Sequence, residues 1–167
     1  MKKYYSDKEK KERLEKLTVI VDTREQVNHN ITSYLSQKKV PYINRKLDVG
    51  DYSFMVDDIT FEKDVVIERK ANIDEIAGNV TNDRKRFENE FLRAKANEIK
   101  VFLIIENCSW QDITAHNYKS KLNPKALKAT LLSWMNKYDI TLIFCKPNET
   151  GEILYGTLYY WLKNSME

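Results

Sequence analysis

Polar and apolar positions change rhythm repeatedly along the 167 residues, and the changes mark out the elements. The first sixteen positions are polar and lysine-rich, so they predict a frayed or helical extension rather than a packed unit. Order begins at Thr18-Val19-Ile20-Val21, a β-branched run between polar residues that predicts a buried strand. From Asn30 to Lys39, Ile31, Tyr34 and Leu35 share a helical face, with Asn28 or Asn30 as cap and Pro41 as stop. Tyr42 to Leu47 and Tyr52 to Val56 alternate and predict two strands paired with each other around Asp48-Val49-Gly50-Asp51. Gly50 there permits a turn that a side chain would resist. A short strand at Ile59 to Phe61 follows an Asp57-Asp58 turn, and Asp64 to Glu68 predicts another strand.

Ile73 to Asn97 is largely helical with an interruption near Gly78 to Asn82, and its second part gathers Phe87, Phe91 and Ala94 on one face. The unbroken apolar run Val101 to Ile105 predicts a central strand buried on both faces. Leu127, Leu131, Trp134 and Tyr138 recur at helical spacing, Thr141 to Phe144 predicts the last strand, and Ile153 to Leu162 an amphipathic helix. Strands interleaved with helices imply an α/β fold, a three-layer sandwich with a central mixed β-sheet flanked by helices. No internal repeat or low-complexity linker divides the chain. Residues 1–17 read as a basic extension and 18–167 as one domain.

Composition narrows the picture. A hydrophobic fraction of 42% suffices for a real core at this length. Lys+Arg 28 against Asp+Glu 25 leaves a net charge of only +3, so bulk charge points to no partner. Basic residues nonetheless crowd the first sixteen positions (Lys2, Lys3, Lys8, Lys10, Lys11, Arg13, Lys16) and the span Arg84, Lys85, Arg86, Arg93, Lys95. They read either as tracks for a phosphate backbone or as solvated surface. Two cysteines far apart, Cys108 and Cys145, with no nearby histidine pair, exclude a zinc motif and a disulfide framework. With no signal-peptide core and no apolar run of about 18 residues, a cytoplasmic location is expected and a membrane partner is not.

The chemistry-bearing residues collect beside predicted strands: Asp22 and Glu25, then Asp51, then Glu68-Arg69-Lys70. Convergent carboxylates bind a hard cation such as Mg²⁺, which prefers oxygen ligands and keeps several waters. A lysine at the same edge orients an attacking water or steadies the charge building on a phosphate. Other readings stay open. Asp22 could cap a turn, Lys70 could form an exposed salt bridge with Glu68, and Asp74 could be an ordinary first-turn acid. Arg69 alternates to the side of its strand opposite Glu68 and Lys70, where it would hold another carboxylate, Asp74 among them, or reach DNA. Arg86 and Glu90, four apart, share a helix face and form either a phosphate contact with its orienting acid or a surface ion pair. No GxSxG motif and no phosphate-cradling glycine loop accompany the four glycines.

A carboxylate followed within twenty residues by acid-x-Lys is the plan of the restriction-endonuclease-like PD-(D/E)XK nucleases. Here Val21-Asp22-Thr-Arg-Glu25, Val49-Gly50-Asp51-Tyr52 and Ile67-Glu68-Arg69-Lys70-Ala-Asn-Ile-Asp74 occur in order. Together they resemble the nuclease domain of the XPF family of structure-specific DNA endonucleases, from about Thr18 to Glu106 and on toward the C-terminus. The resemblance implies a Mg²⁺-dependent endonuclease, with Mn²⁺ able to substitute, acting on branched or junction DNA in recombination, replication or repair. It implies Asp22, Asp51 and Glu68 as metal ligands, Glu25, Arg69 and Lys70 as further catalytic residues, and Arg24, Lys85 and Arg86 as DNA contacts. It also implies a compact bacterial or phage member, without helix-hairpin-helix modules, that pairs as a homodimer through the C-terminal helix. The alternative within the family is a non-catalytic DNA-binding scaffold subunit of the same fold.

Overall fold

A computed structural model describes residues 4–167; of the basic N-terminal run, Lys2 and Lys3 lie outside the described residues. Seven strands form one sheet: β1 (Leu17–Val21), β2 (Tyr42–Asn44), β3 (Tyr52–Val56), β4 (Ile59–Thr60), β5 (Val65–Lys70), β6 (Lys100–Glu106) and β7 (Ile140–Cys145). Their order is β2-β1-β3-β5-β6-β7, with β4 pairing β3. The β1–β2, β5–β6 and β6–β7 pairs are parallel, whereas β3 is antiparallel to β1, β4 and β5. The sheet is mixed, as expected.

The predicted pairing of the 42–47 and 52–56 segments does not occur. Both flank β1, one on each side. Four of the five residues of β1 are buried, so it needs neighbours on both edges. The three-residue β2, partly exposed, suits the edge instead.

Seven helices join the strands: α1 (Asp7–Glu15), α2 (His29–Gln37), α3 (Ile73–Thr81), α4 (Arg84–Ala96), α5 (Trp110–Thr114), α6 (Pro124–Tyr138) and α7 (Pro147–Ser165). Alternation along the strands splits the interior in two. Val66, Val101, Leu103 and Ile105 face α3, α4 and α6, packing with Phe87, Phe91, Leu131 and Trp134. Val65, Ile67 and Ile104 face α2 and α7, packing with Ile31, Leu35, Leu154 and Leu158. The result is the three-layer sandwich.

Three local departures have physical causes. Helix α1, held by a Ser6–Glu9 capping box, buries no residue of its own, but Tyr5 and Leu14 rest on the α2–α7 core. The break between α3 and α4 falls at Asn82-Asp83, while Gly78 stays helical inside α3 with its flank bordering open space. Short α5 was not anticipated; Ser109 caps it by accepting from the Asp112 N–H, a signal five residues long and easily overlooked. Cys145 is a buried thiol 3.4 Å from the Thr150 hydroxyl, and Trp134 is core.

Candidate active site

Strands β1, β2, β5, β6 and β7 share one direction and β3 opposes them. The carboxyl ends of β1, β5 and β6 therefore meet the start of β3 at a single sheet edge. Chain order delivers Asp22, Asp51, Glu68-Arg69-Lys70 and Glu106 to that edge.

Asp51 is set by its backbone. Its N–H donates to the Ile67 carbonyl (2.8 Å), and the Tyr52–Ile67 register puts it beside Glu68. Gly50 makes this approach possible. Its φ is +75°, and an added Cβ would lie 2.8 Å from that of Val66. Parity then decides direction. Tyr52, Phe54 and Val56 enter the α2–α7 core, so Asp51 points to the opposite face. Val66 enters the α3–α4–α6 core, so Glu68 and Lys70 point there too. Asp51, Glu68 and Lys70 share one face.

The three are strongly coupled. Burial first, then the Glu68 charge, push the Asp51 carboxyl up to about 8, although the Arg69 N–H donates to its Oδ2 (2.8 Å). Burial likewise raises Glu68 above the ordinary carboxylate range, against the pull of Lys70. The Lys70 ammonium donates to Glu68 Oε1 (2.7 Å), lies 3.7 Å from Glu75 and sits over the Phe87 ring. Burial disfavours that cation, but Glu68, Asp51 and Glu75 outweigh it and hold its pKa above the usual lysine value. In this state Lys70 is a positive charge rather than a base.

Arg69 points the other way, as alternation requires. Its partners are not Asp74. Nε and Nη2 grip Glu106 at 3.0 and 2.9 Å, and Nη1 reaches Glu25 and the Val27 carbonyl. Asn30 Nδ2 donates to Glu106 (3.0 Å) and to the Pro147 carbonyl (2.7 Å), so Arg69 ties β5 to β6 and Asn30 carries the link on to α2 and the start of α7. Asp74 instead accepts the Lys119 N–H (2.7 Å) and Asn72 caps α3. Glu106 is the residue sequence reasoning missed. Its one signal is a charge closing the apolar run of a central strand, next to the strand that carries the motif.

Asp22, expected as a metal ligand, is hydrogen-bonded at both oxygens. Its Oδ1 accepts from the Arg24 N–H and Nε (2.8 and 2.7 Å), and its Oδ2 from Leu47 N–H and Arg24 Nη2 (2.6 and 3.1 Å). Burial acts to raise its pKa, yet these bonds prevail and hold it low. With four donors on four lone-pair positions, the carboxylate braces the site wall and offers no free oxygen. Arg24, expected to touch DNA or a carboxylate, clamps Asp22 and the Leu47 carbonyl while its side chain stays 64% exposed. Arg86 is exposed, 3.9 Å from Asp83, and its expected partner Glu90 instead acts electrostatically on Arg24 and Glu68. Lys85 is exposed.

Among the described residues, no three or more acidic, histidine or cysteine side chains form a metal cage. Asp51 and Glu68 supply two carboxylates, each with one oxygen outside the hydrogen bonds above. That suits Mg²⁺, which binds through one or two carboxylates and keeps waters and substrate oxygens. Two adjacent acids with raised pKa values also favour a cation between them.

The sequence profile of the ERCC4 domain matches residues 21–157. No curated protein sequence matches the chain. Among solved structures, the chain is similar to XPF from Aeropyrum pernix, with TM-score 0.65 and 21% identity over 85% of this chain and 65% of that one. It is also similar to XPF from Aeropyrum pernix in complex with DNA, with TM-score 0.64 and 21% identity over 88% and 65% of the two chains. The chain thus spans 65% of those proteins' length, and the likeness to them is one of fold.

Proposed function

The chain belongs to the ERCC4-domain family, and from that premise we propose that it is a Mg²⁺-dependent endonuclease that hydrolyses DNA phosphodiesters. The observation that carries the proposal is the convergence of Asp51, Glu68 and Lys70 on one face of one sheet edge. Asp51 and Glu68 would hold the metal ion. Mn²⁺, another oxygen-preferring cation, should substitute. When bound, such an ion polarises the phosphate and lowers the pKa of a water.

The protein's own groups supply the rest. The Lys70 ammonium is positioned to balance negative charge growing on the phosphate. The Arg69 N–H fixes the Asp51 carboxylate, and Glu106 and Glu25 fix Arg69 in turn. Asp22 and Arg24 brace the wall beside them. Arg24, Lys85 and Arg86 leave cationic surface for backbone phosphates.

Branched or junction DNA is the proposed substrate, and recombination, replication or repair the setting, on the strength of the motif resemblance. A homodimer would form along α7, where exposed Ile153 and Tyr160 flank a groove of about 740 Å³ lined by Phe102, Gly156 and Trp161. Among the described residues no helix is long and apolar enough to cross a membrane.

The test is a panel of flap, fork, four-way-junction and linear duplex DNA incubated with Mg²⁺ or Mn²⁺, using wild type and Asp51→Asn. Wild type should cut at least one branched form and the variant none, with DNA binding kept. Binding without cutting would make the chain a scaffold subunit, and equal cutting by the variant would remove Asp51 from the site.

A further inference from the structure

A second polar cleft lies at the same sheet edge. It holds about 620 Å³ between α3 and the segment 115–123, and includes Asn72, Gly78, Thr81, Asn82, Lys119 and Lys121. The parallel register sets Lys70 beside Ile105, so the segment leaving β6 emerges where the catalytic side chains collect. Helix α3 forms the wall between the two. On its site flank Glu75 accepts the Ala71 N–H (2.8 Å) and approaches Lys70, whereas Asp74, Gly78 and Thr81 line the cleft.

The outer wall is irregular backbone, yet it is braced. Lys119 N–H donates to Asp74 Oδ1 (2.7 Å), the His116 ring bonds the Ser120 carbonyl (2.7 Å), and Tyr118 OH donates to the Leu122 carbonyl (2.6 Å). The His116 and Tyr118 rings pack at a tilt with centroids 4.3 Å apart, and Tyr118 and Leu122 pack on the core. This bracing displays Lys119 and Lys121 without tying them up. Both side chains are exposed, and neither has an ion-pair partner among the described residues. Two ammonium groups face one carboxylate, Asp74, which already accepts a backbone N–H. Apart from Gly78 and Leu122, the remaining lining is amide and hydroxyl (Asn72, Thr81, Asn82, Ser120), the groups that contact phosphate and sugar without reading sequence.

We infer that this cleft is a subsite for the DNA backbone flanking the scissile phosphate, with Lys119 and Lys121 as its phosphate contacts. The inference rests on the nuclease reading and extends it. A helix is about 10 Å across, which at 3.4 Å per nucleotide step places the gripped phosphates about three nucleotides from the cut. Neutral donors and two free cations suit a charged polymer passing through. Gly78 borders open space in this channel, since a Cβ there would meet nothing within 4 Å.

The test measures binding of a fluorescein-labelled splayed-arm duplex by anisotropy, with the full chain in EDTA to prevent cutting, across 50–250 mM NaCl. The variants are Lys119→Gln/Lys121→Gln, Gly78→Glu, and Lys38→Gln/Lys39→Gln as a charge-matched control. Lys38 and Lys39 are exposed at the end of α2, which runs to the opposite sheet edge. Each lost phosphate contact lowers the salt slope by about 0.7–0.9. The cleft double variant should therefore lose about 1.5 from the slope of log K against log salt and bind at least about fivefold more weakly at 100 mM. Gly78→Glu should weaken binding too, since it sets a carboxylate in the channel, while its thermal midpoint does not fall. The control should match wild type. A cleft variant indistinguishable from wild type, or a control weakened equally, overturns the subsite and leaves the nuclease reading intact. Wild type that binds no DNA overturns both.

Discussion

The raised pKa of Asp51 makes the metal-free protein vulnerable to pH, and Asp51→Asn should relieve it. The sign follows from linkage. Below about pH 4 the carboxyl is protonated in the folded and unfolded chain alike, so it adds no pH dependence. Between the unfolded value near 3.9 and the folded value of about 8, the unfolded chain ionises and the folded one does not. Folded stability from this group is therefore full at low pH and lost as pH rises through that window. Four pKa units at about 1.4 kcal/mol each set a ceiling of about 5.5 kcal/mol. Water entering at this edge offsets part of this, leaving about 2–3 kcal/mol to be seen at pH 8. Asparagine keeps an acceptor for the Arg69 N–H and removes the charge. The variant should thus melt about 4–10 °C above wild type at pH 8 in EDTA and alongside it at pH 4. Excess Mg²⁺ should raise wild type and not the variant, because only the former gains a folded-state ligand. Thermal melts at pH 4, 6 and 8 decide the matter. An advantage that does not grow with pH would refute the electrostatic account of this edge.

The Arg69–Glu106 pair should act as a structural lock. Glu106→Ala leaves a guanidinium that is 7% exposed without its bidentate partner, so a loss of about 3 kcal/mol in urea unfolding is expected, with Glu106→Gln intermediate. A change under about 0.5 kcal/mol would mean Glu25 and Val27 alone can hold Arg69. For the α7 dimer, sedimentation of wild type against Gly156→Glu is informative. Gly156 lines the groove and a Cβ there meets nothing within 4 Å, so the new carboxylate should block pairing without straining the fold. Monomeric wild type at micromolar concentration would remove the dimer.

Much of the framework was readable because periodicity reports burial. The run Val101 to Ile105 had to be central, and every strand from Thr18 onward lies within a few residues of its apolar pattern. Pairing was less legible. Segments 42–47 and 52–56 look like hairpin partners by proximity, and only the three-dimensional demand of β1 for two neighbours separates them. At the site, alternation along β5 gave the correct sides for Glu68, Arg69 and Lys70, since a period of two leaves little choice. What alternation cannot give is the partner. The distance from Arg69 to Glu106 in sequence is 37 residues, and only the adjacency of β5 and β6 makes Glu106 nearer than Asp74. The hydrogen bonds of Asp22 were illegible for a similar reason. A carboxylate after a strand looks alike whether it faces a metal or four hydrogen-bond donors, and Leu47 N–H arrives from 25 residues away.

The ion pairs around the edge explain why Asp51 should be the sensitive position. All six residues of β5 are buried, including three consecutive charged ones, and buried charges survive only when paired. Asp22 has Arg24, Glu68 has Lys70, and Glu25 and Glu106 share Arg69. Asp51 alone receives a backbone N–H and no side-chain cation. Glu75 also approaches Lys70 (3.7 Å), so six carboxyl groups share three cations, and the raised pKa values of Asp51 and Glu68 register the crowding where those two meet. A divalent cation held by Asp51 and Glu68 would offset part of this acidic excess, which is the electrostatic support for the proposed metal site.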